Sequence, residues 1–266
     1  MSEPNGSGIS VFDAHCHLDM IERPVGEVLA EARAAGVGRV VTVGTDLESS
    51  RWSARCAAEH EHVHAAVAVH PNDTEAALRS APAGQVLAGI EELAMLPQVR
   101  AVGETGLDYY RDYADPGLQR EWFRAHIGIA KRTGKPLMIH DRDAHADVLR
   151  ILAEEGPPET VIFHCFSGDA EMAKQCAEAG YLMSFAGNLT FSSAQTLRDA
   201  AAAAPADLLL VETDAPFLTP VPHRGTPNAP AMVAHTVRRL AEVKGMDVAE
   251  LCALISATGE RVFGPW

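Results

Sequence analysis

Cysteine is scarce and scattered. The five thiols, Cys16, Cys56, Cys165, Cys176 and Cys252, are odd in number and form no CxxC pair. Neither a disulfide framework nor a structural zinc site is indicated, and the thiols are expected to be reduced. Long apolar runs are also missing. No stretch approaches the length of a membrane span, and residues 1–10 are short and polar, without the basic start and apolar core of a signal peptide. A cytoplasmic protein with no membrane partner is expected, with residues 1–10 flexible. Basic charge is in deficit: 22 Lys and Arg face 36 Asp and Glu, a net charge of −14. That balance argues against broad attraction to a nucleic-acid backbone. A polyanionic substrate must then be attracted locally, and bound divalent cations supply such attraction because the ion is often the largest charge in its site. Internal repeats, low-complexity linkers and breaks in composition are absent too, so residues 1–266 read as one domain.

What is present suits a packed core. The 266 residues are 47% hydrophobic and 22% charged, an ordinary globular balance at the usual size of a single α/β barrel. Short β-branched runs alternate with Ala/Leu/Glu-rich stretches from end to end, which predicts a parallel sheet with crossover helices. Eight strands are predicted near Val11–His17, Arg39–Thr45, His64–Pro71, Arg100–Thr105, Pro136–Asp141, Val161–Ser167, Tyr181–Ala186 and Leu208–Asp214. Helical spacing falls in Val25–Ala35, Leu118–Arg132, Ala144–Glu154, Ala170–Ala179 and Gln195–Ala203. Gly36, Gly134, Gly156 and Gly180 stand where left-handed C-caps are needed. Residues 231–263 read as one or two closing helices. The predicted fold is a single (β/α)8 TIM barrel.

Polar residues then fall in a telling place. His15 and His17, His70, Glu104, His140, His164, and Glu212 with Asp214 all lie at C-terminal ends of predicted strands, the face where barrel active sites are built. Strand alternation points His15 and His17 to one side and Cys16 to the other, and likewise separates His164 from Cys165. The shell that remains is nitrogen and oxygen, which admits zinc, manganese or magnesium. Four imidazoles and two carboxylates exceed what one tetrahedral zinc needs and fit two ions, with Glu104 as their shared carboxylate. Two such ions activate water and stabilise charge on the attacked group, which is hydrolytic chemistry. Asp214 is placed both to ligate a metal and to accept a proton from the nucleophilic water. His70, before Pro71, either fixes a turn or touches substrate, and the second role is preferred. Glu212 lies one layer deeper and is expected to orient a ligand by a hydrogen bond. In the loop Gly106-Leu107-Asp108-Tyr109-Tyr110-Arg111, Tyr109 stacks on a base or packs on a helix, and Arg111 is placed for a phosphate.

At these residues the chain resembles the TatD family of metal-dependent deoxyribonucleases, among the amidohydrolase-like barrels. The matching segments are Asp13-Ala14-His15-Cys16-His17-Leu18-Asp19, Val69-His70-Pro71, Gly103 to Tyr110, Pro136 to His140, His164-Cys165-Phe166-Ser167-Gly168 and Glu212-Thr213-Asp214-Ala215-Pro216. The resemblance implies a binuclear site, with His15, His17, Glu104 and Asp214 around one ion and Glu104, His140 and His164 around the other. It also implies magnesium- or manganese-dependent trimming of DNA from the 3′ end, zinc being a possible bound ion, with His70 near the scissile phosphate. Residues 222–230 look like a family loop that usually reads Arg-Gly-Lys-x-Asn-Glu-Pro. Arg224 and Asn228 survive there as substrate contacts, whereas Thr226 and Ala229 replace the usual Lys and Glu.

The expected function is therefore hydrolysis of phosphodiester bonds at single-stranded or frayed DNA ends by a monomer, with RNA a further possible partner. Two alternatives stay open: an ester hydrolase such as a D-aminoacyl-tRNA deacylase, and a non-catalytic metal-containing barrel. Glu104 stands where amidohydrolases with a carbamylated bridge need Lys, which lowers the lactonase and dihydroorotase readings.

Overall fold

The computed structural model describes residues 9–265. Most of the stretch expected to be flexible, residues 1–8, lies outside the described residues. Ile9 is buried, and the Ser10 carbonyl accepts a hydrogen bond from Ser256 Oγ at 3.2 Å.

In chain order the elements are β1 (Val11–Cys16), α1 (Val25–Ala34), β2 (Val37–Val43), α2 (Leu47–Glu59), β3 (Val63–Val67), α3 (Thr74–Ser80), α4 (Ala83–Ala94) and β4 (Val99–Asp108). They continue with α5 (Pro116–Thr133), β5 (Leu137–Arg142), α6 (His145–Glu155), β6 (Val161–Phe163), α7 (Ala170–Glu178), β7 (Leu182–Phe185), α8 (Gln195–Ala203), β8 (Leu209–Val211), α9 (Val233–Lys244) and α10 (Val248–Phe263). The eight strands run in sequence order through one sheet, which with the alternating helices defines the (β/α)8 barrel. The tail resolves into two helices, α9 and α10.

The described residues divide into two compact units, one of residues 9–41 and 168–265 and the other of residues 42–167. In the first, β7 and β8 pair in parallel, and β1 meets the segment after β8 through a parallel bridge between Cys16 and Ala215. The bonds Asp214 N–H to His15 O (2.9 Å) and His17 N–H to Ala215 O (2.7 Å) carry that join. Beneath it, Phe12 and Phe263 pack edge to face with centroids 6.0 Å apart. Gly259 admits the Phe12 ring where any Cβ would lie 2.2 Å from it. Burying two such rings contributes about 2 kcal/mol each.

In the second unit β3, β4, β5 and β6 pair in parallel. β3 is buried along its length and apolar except for His64, as a strand covered on both faces requires. Its longest helix, α5, is set by local signals. Asp115 accepts from Leu118 N–H, Pro116 occupies the first turn, and Gly134 closes the helix at φ +65. β4 runs past its predicted end at Thr105 to Asp108, against β5. Gly106 allows the approach, because a Cβ there would sit 2.1 Å from the His140 carbonyl. Six other strands stop short of prediction, β1, β2 and β7 by one or two residues and β3, β6 and β8 by three or four. His70 lies three residues beyond β3, His164 directly after β6, and Asp214 three residues after β8.

Candidate metal centre

Within the first unit, β1 alternates as a strand must, so the Cys16 thiol turns away and donates to Val41 O at 3.4 Å. On the other side, His15 Nε2 and His17 Nε2 are 3.2 Å apart. Asp214 Oδ1 lies 3.7 Å from the first and 3.5 Å from the second. Both imidazoles are buried, while Asp214, three residues beyond β8, retains some exposure at φ +53. Asp13 secures this trio. Its carboxylate accepts from His15 N–H (3.2 Å), Thr213 N–H (2.8 Å) and Thr213 Oγ1 (2.5 Å), tying the histidine strand to the residue before Asp214. Burial raises the Asp13 pKa to about 8 against those hydrogen bonds, and the charge of Glu212 adds to the rise. Glu212 is fully buried, in the layer below.

The predicted substrate loop divides. Asn228 is buried, and its amide nitrogen donates to the carbonyls of Thr213 (2.9 Å) and Phe217 (2.5 Å). Both amide hydrogens are thus used to brace the Asp214 loop. Arg224 is exposed, with its guanidinium 3.8 Å from the Phe191 ring centroid.

In the second unit, the Glu104 carboxylate is buried among imidazoles. Its Oε2 lies 2.9 Å from His164 Nε2, 3.2 Å from His140 Nδ1 and 3.7 Å from His70 Nε2. His164 Nε2 and His140 Nδ1 are 3.4 Å apart. His70 Nδ1 accepts from Asn72 N–H at 3.1 Å, so a neutral His70 carries its hydrogen on Nε2, facing Glu104. Burial holds His70 neutral, at a pKa of about 3, and the neighbouring His140 charge pushes the same way. That tautomer makes His70 a hydrogen-bond donor, while Glu104, His140 and His164 bring together one carboxylate oxygen and two ring nitrogens that could hold a cation.

One residue that organises this cluster was not singled out from sequence. Asp108 Oδ2 lies 3.1 Å from His140 Nε2 and accepts from Asn72 Nδ2 at 2.9 Å. With Nε2–H directed at Asp108, His140 turns Nδ1 toward Glu104, the carboxylate–histidine arrangement that supports metal ligands. The signal lay in strand alternation, since residues 104, 106 and 108 share a face. Burial would raise the Asp108 pKa, but hydrogen bonds from His140, Arg111 and Asn72 outweigh it and hold the group below the usual carboxylate range. Farther along the same loop, the Tyr109 hydroxyl is 2.6 Å from Asp147 Oδ2 and accepts from Arg120 at 3.0 Å. Arg111 is exposed beside Tyr110 and Tyr113. His126, on α5, is fully buried. Its Nε2 accepts from Val69 N–H at 3.1 Å and its Nδ1 meets Trp122 O at 2.8 Å.

Both clusters suit a divalent cation. Each gathers imidazole nitrogens and a carboxylate oxygen in little solvent, and no thiol joins them. At His140, burial lowers the pKa, but hydrogen bonds to Asp108 and Glu104 outweigh it and raise it. A proton there does what a metal would do, neutralising buried carboxylates.

A parallel barrel with imidazole–carboxylate clusters at its strand ends is the architecture of a metal-dependent hydrolase. The family follows from comparison with known proteins. The family model described as TatD related DNase matches residues 12–264. The uncharacterized metal-dependent hydrolase TatD of Mycobacterium tuberculosis is 47% identical over 96% of this chain and 98% of its own length. YcfH of Escherichia coli K12, also named a metal-dependent hydrolase, is 39% identical over 95% of each chain. The crystal structure of YJJV, a TatD homolog from Escherichia coli K12, superposes with a TM-score of 0.89 at 27% identity, over 96% of this chain and 98% of that one. The chain belongs to the TatD family of metal-dependent hydrolases.

Proposed function

We propose that this protein hydrolyses phosphodiester bonds at the 3′ ends of single-stranded DNA, with one divalent ion held by His15, His17 and Asp214 and another by Glu104, His140 and His164. The observation that carries the reading is the buried Glu104 carboxylate with three imidazole nitrogens within 3.7 Å of one oxygen. A family model described as a DNase supports the choice of substrate. When bound, such ions supply Lewis acidity and make water nucleophilic near neutral pH.

The chain's own groups have separable tasks. Asp214, the partly exposed carboxylate, accepts the proton of the attacking water. His70 donates through Nε2–H to a phosphate oxygen and, being neutral, does so without titrating near pH 7. Asp108 keeps His140 in one tautomer, and Asn228 keeps the Asp214 loop in place. The acidic net charge favours short single-stranded ends over duplex, because it opposes any extended backbone contact.

The test incubates demetallated, magnesium- or manganese-reconstituted protein with end-labelled single-stranded DNA and with a D-aminoacyl-tRNA. Stepwise loss of 3′ nucleotides is expected for wild type and not for His15→Ala or Glu104→Ala. Equal cleavage by the variants, or faster release from the aminoacylated RNA, would overturn the reading.

A further inference from the structure

The turn after β4 does more than orient His140. Asp108 Oδ1 accepts from the backbone N–H groups of Tyr110 (3.0 Å) and Arg111 (2.9 Å). Buried Gln119 holds the same turn from beneath. Its Oε1 accepts from Asp108 N–H at 2.8 Å, and its Nε2 donates to the carbonyls of Asp108 and Ala114, both at 3.1 Å. The turn is therefore fixed at both ends, and one of those ends also sets a candidate metal ligand.

This fixed turn presents planar and cationic groups to solvent. Tyr110 is 57% exposed and Tyr113 61%. The Arg142 guanidinium lies 3.9 Å from the Tyr110 ring centroid, and Arg111 lies 5.3 Å from Tyr110 and 5.7 Å from Tyr113. Arg142 ends β5 two residues after His140, and its carbonyl accepts from Tyr109 N–H at 2.9 Å. Of the neighbouring acids, Asp112 lies in the turn, and Asp143 lines a recess with Tyr109, His145 and Asp147. A guanidinium stacked on one ring explains one pair. It gives no reason to hold two tyrosines mostly in solvent, with two arginines, beside a buried ligand cluster in a chain of net charge −14.

We propose that Tyr110, Tyr113, Arg111 and Arg142 form a platform for single-stranded DNA, the rings stacking on bases and the guanidinium groups meeting phosphates. The proposal rests on the DNA-end reading above and deepens it by saying where the strand leading to the cleaved end lies. Unpaired bases offer free faces to tyrosine whatever their sequence, whereas in a duplex those faces are already stacked. The planar guanidinium fork matches phosphate geometry, and two such groups supply the local positive charge that the chain as a whole lacks.

The test measures fluorescence anisotropy of a labelled, cleavage-resistant phosphorothioate strand of about ten nucleotides, on full-length protein with magnesium. Cleavage of the unmodified strand is followed in parallel. Tyr110→Ala and Tyr113→Ala are each expected to raise Kd about tenfold, with Tyr110→Phe restoring binding. Arg111→Ala should reduce the slope of log affinity against log salt by about 0.7. All four side chains are exposed, and thermal melts of each variant verify folding. Wild-type affinity in the alanine variants, or tighter wild-type binding to duplex or to RNA of the same sequence, would overturn the platform. If that occurs while wild type trims DNA ends, the platform fails and the nuclease reading stands. Tyrosine-dependent binding without any cleavage upholds the platform and removes the nuclease reading.

Discussion

His15 and His17 reach their places through two residues of backbone, whereas His140 reaches its place through a relay of side chains. In the first cluster the strand itself sets the spacing, and Asp13 accepts two backbone N–H groups and a hydroxyl to lock the histidine strand to Thr213. In the second, Asp108 orients His140, Asn72 N–H fixes the His70 tautomer, and Gln119 fixes the turn that carries Asp108. A ligand set built on backbone is coupled to fold stability. One built on side-chain hydrogen bonds is coupled to protonation and to the orientation of each ring. Perturbing the anchors should therefore have different consequences in the two units.

The largest expected effect is on stability at the first cluster. Asp13→Ala leaves three buried donors without their acceptor, and at 1–3 kcal/mol for each unmet group, partly relieved by repacking, the loss is about 3 kcal/mol. Urea denaturation of the metal-free protein measures it. Loss confined to metal affinity, with an unchanged unfolding midpoint, would contradict a stabilising role for Asp13.

A comparable effect, in acid, belongs to the second unit. His126 Nε2 accepts the Val69 N–H next to His70, so the ring must stay neutral, and burial lowers its pKa from 6.5 to about 4. The unfolded chain takes up this proton first as pH falls. Stability from this group is therefore whole above about pH 6.5 and is lost progressively toward pH 4, by up to about 3 kcal/mol. Subtracting the pH profile of His126→Gln from that of wild type should isolate the loss, and a flat difference between pH 4 and 6.5 would contradict it.

Smaller again is the effect of Asp108→Asn. It should weaken metal retention at the second cluster tenfold to a hundredfold, the usual cost of removing a carboxylate behind a ligating histidine. Competitive chelation measures it.

That contrast also accounts for what the sequence made legible. The first cluster was readable because a two-residue period places His15 and His17 on one face and Cys16 on the other without tertiary information. Glu104, His140 and His164 stood out by position near strand ends, since strand order follows chain order in this barrel. Asp108 escaped because β4 was predicted to stop at Thr105, and the continuation depends on Gly106 admitting the β5 backbone. His126 escaped because its partner, Val69 N–H, is 57 residues away and becomes a neighbour only on folding. Asn228 was found as a motif residue, but the two carbonyls it braces cannot be seen in a linear pattern.

Metal content per chain decides whether each cluster holds its own divalent ion. Protein is demetallated, reconstituted with manganese, desalted and assayed by inductively coupled plasma mass spectrometry. Two equivalents are expected for wild type, with one lost in Asp214→Ala and one lost in His140→Ala. A single equivalent in wild type, or two retained in both variants, would contradict an ion in each cluster.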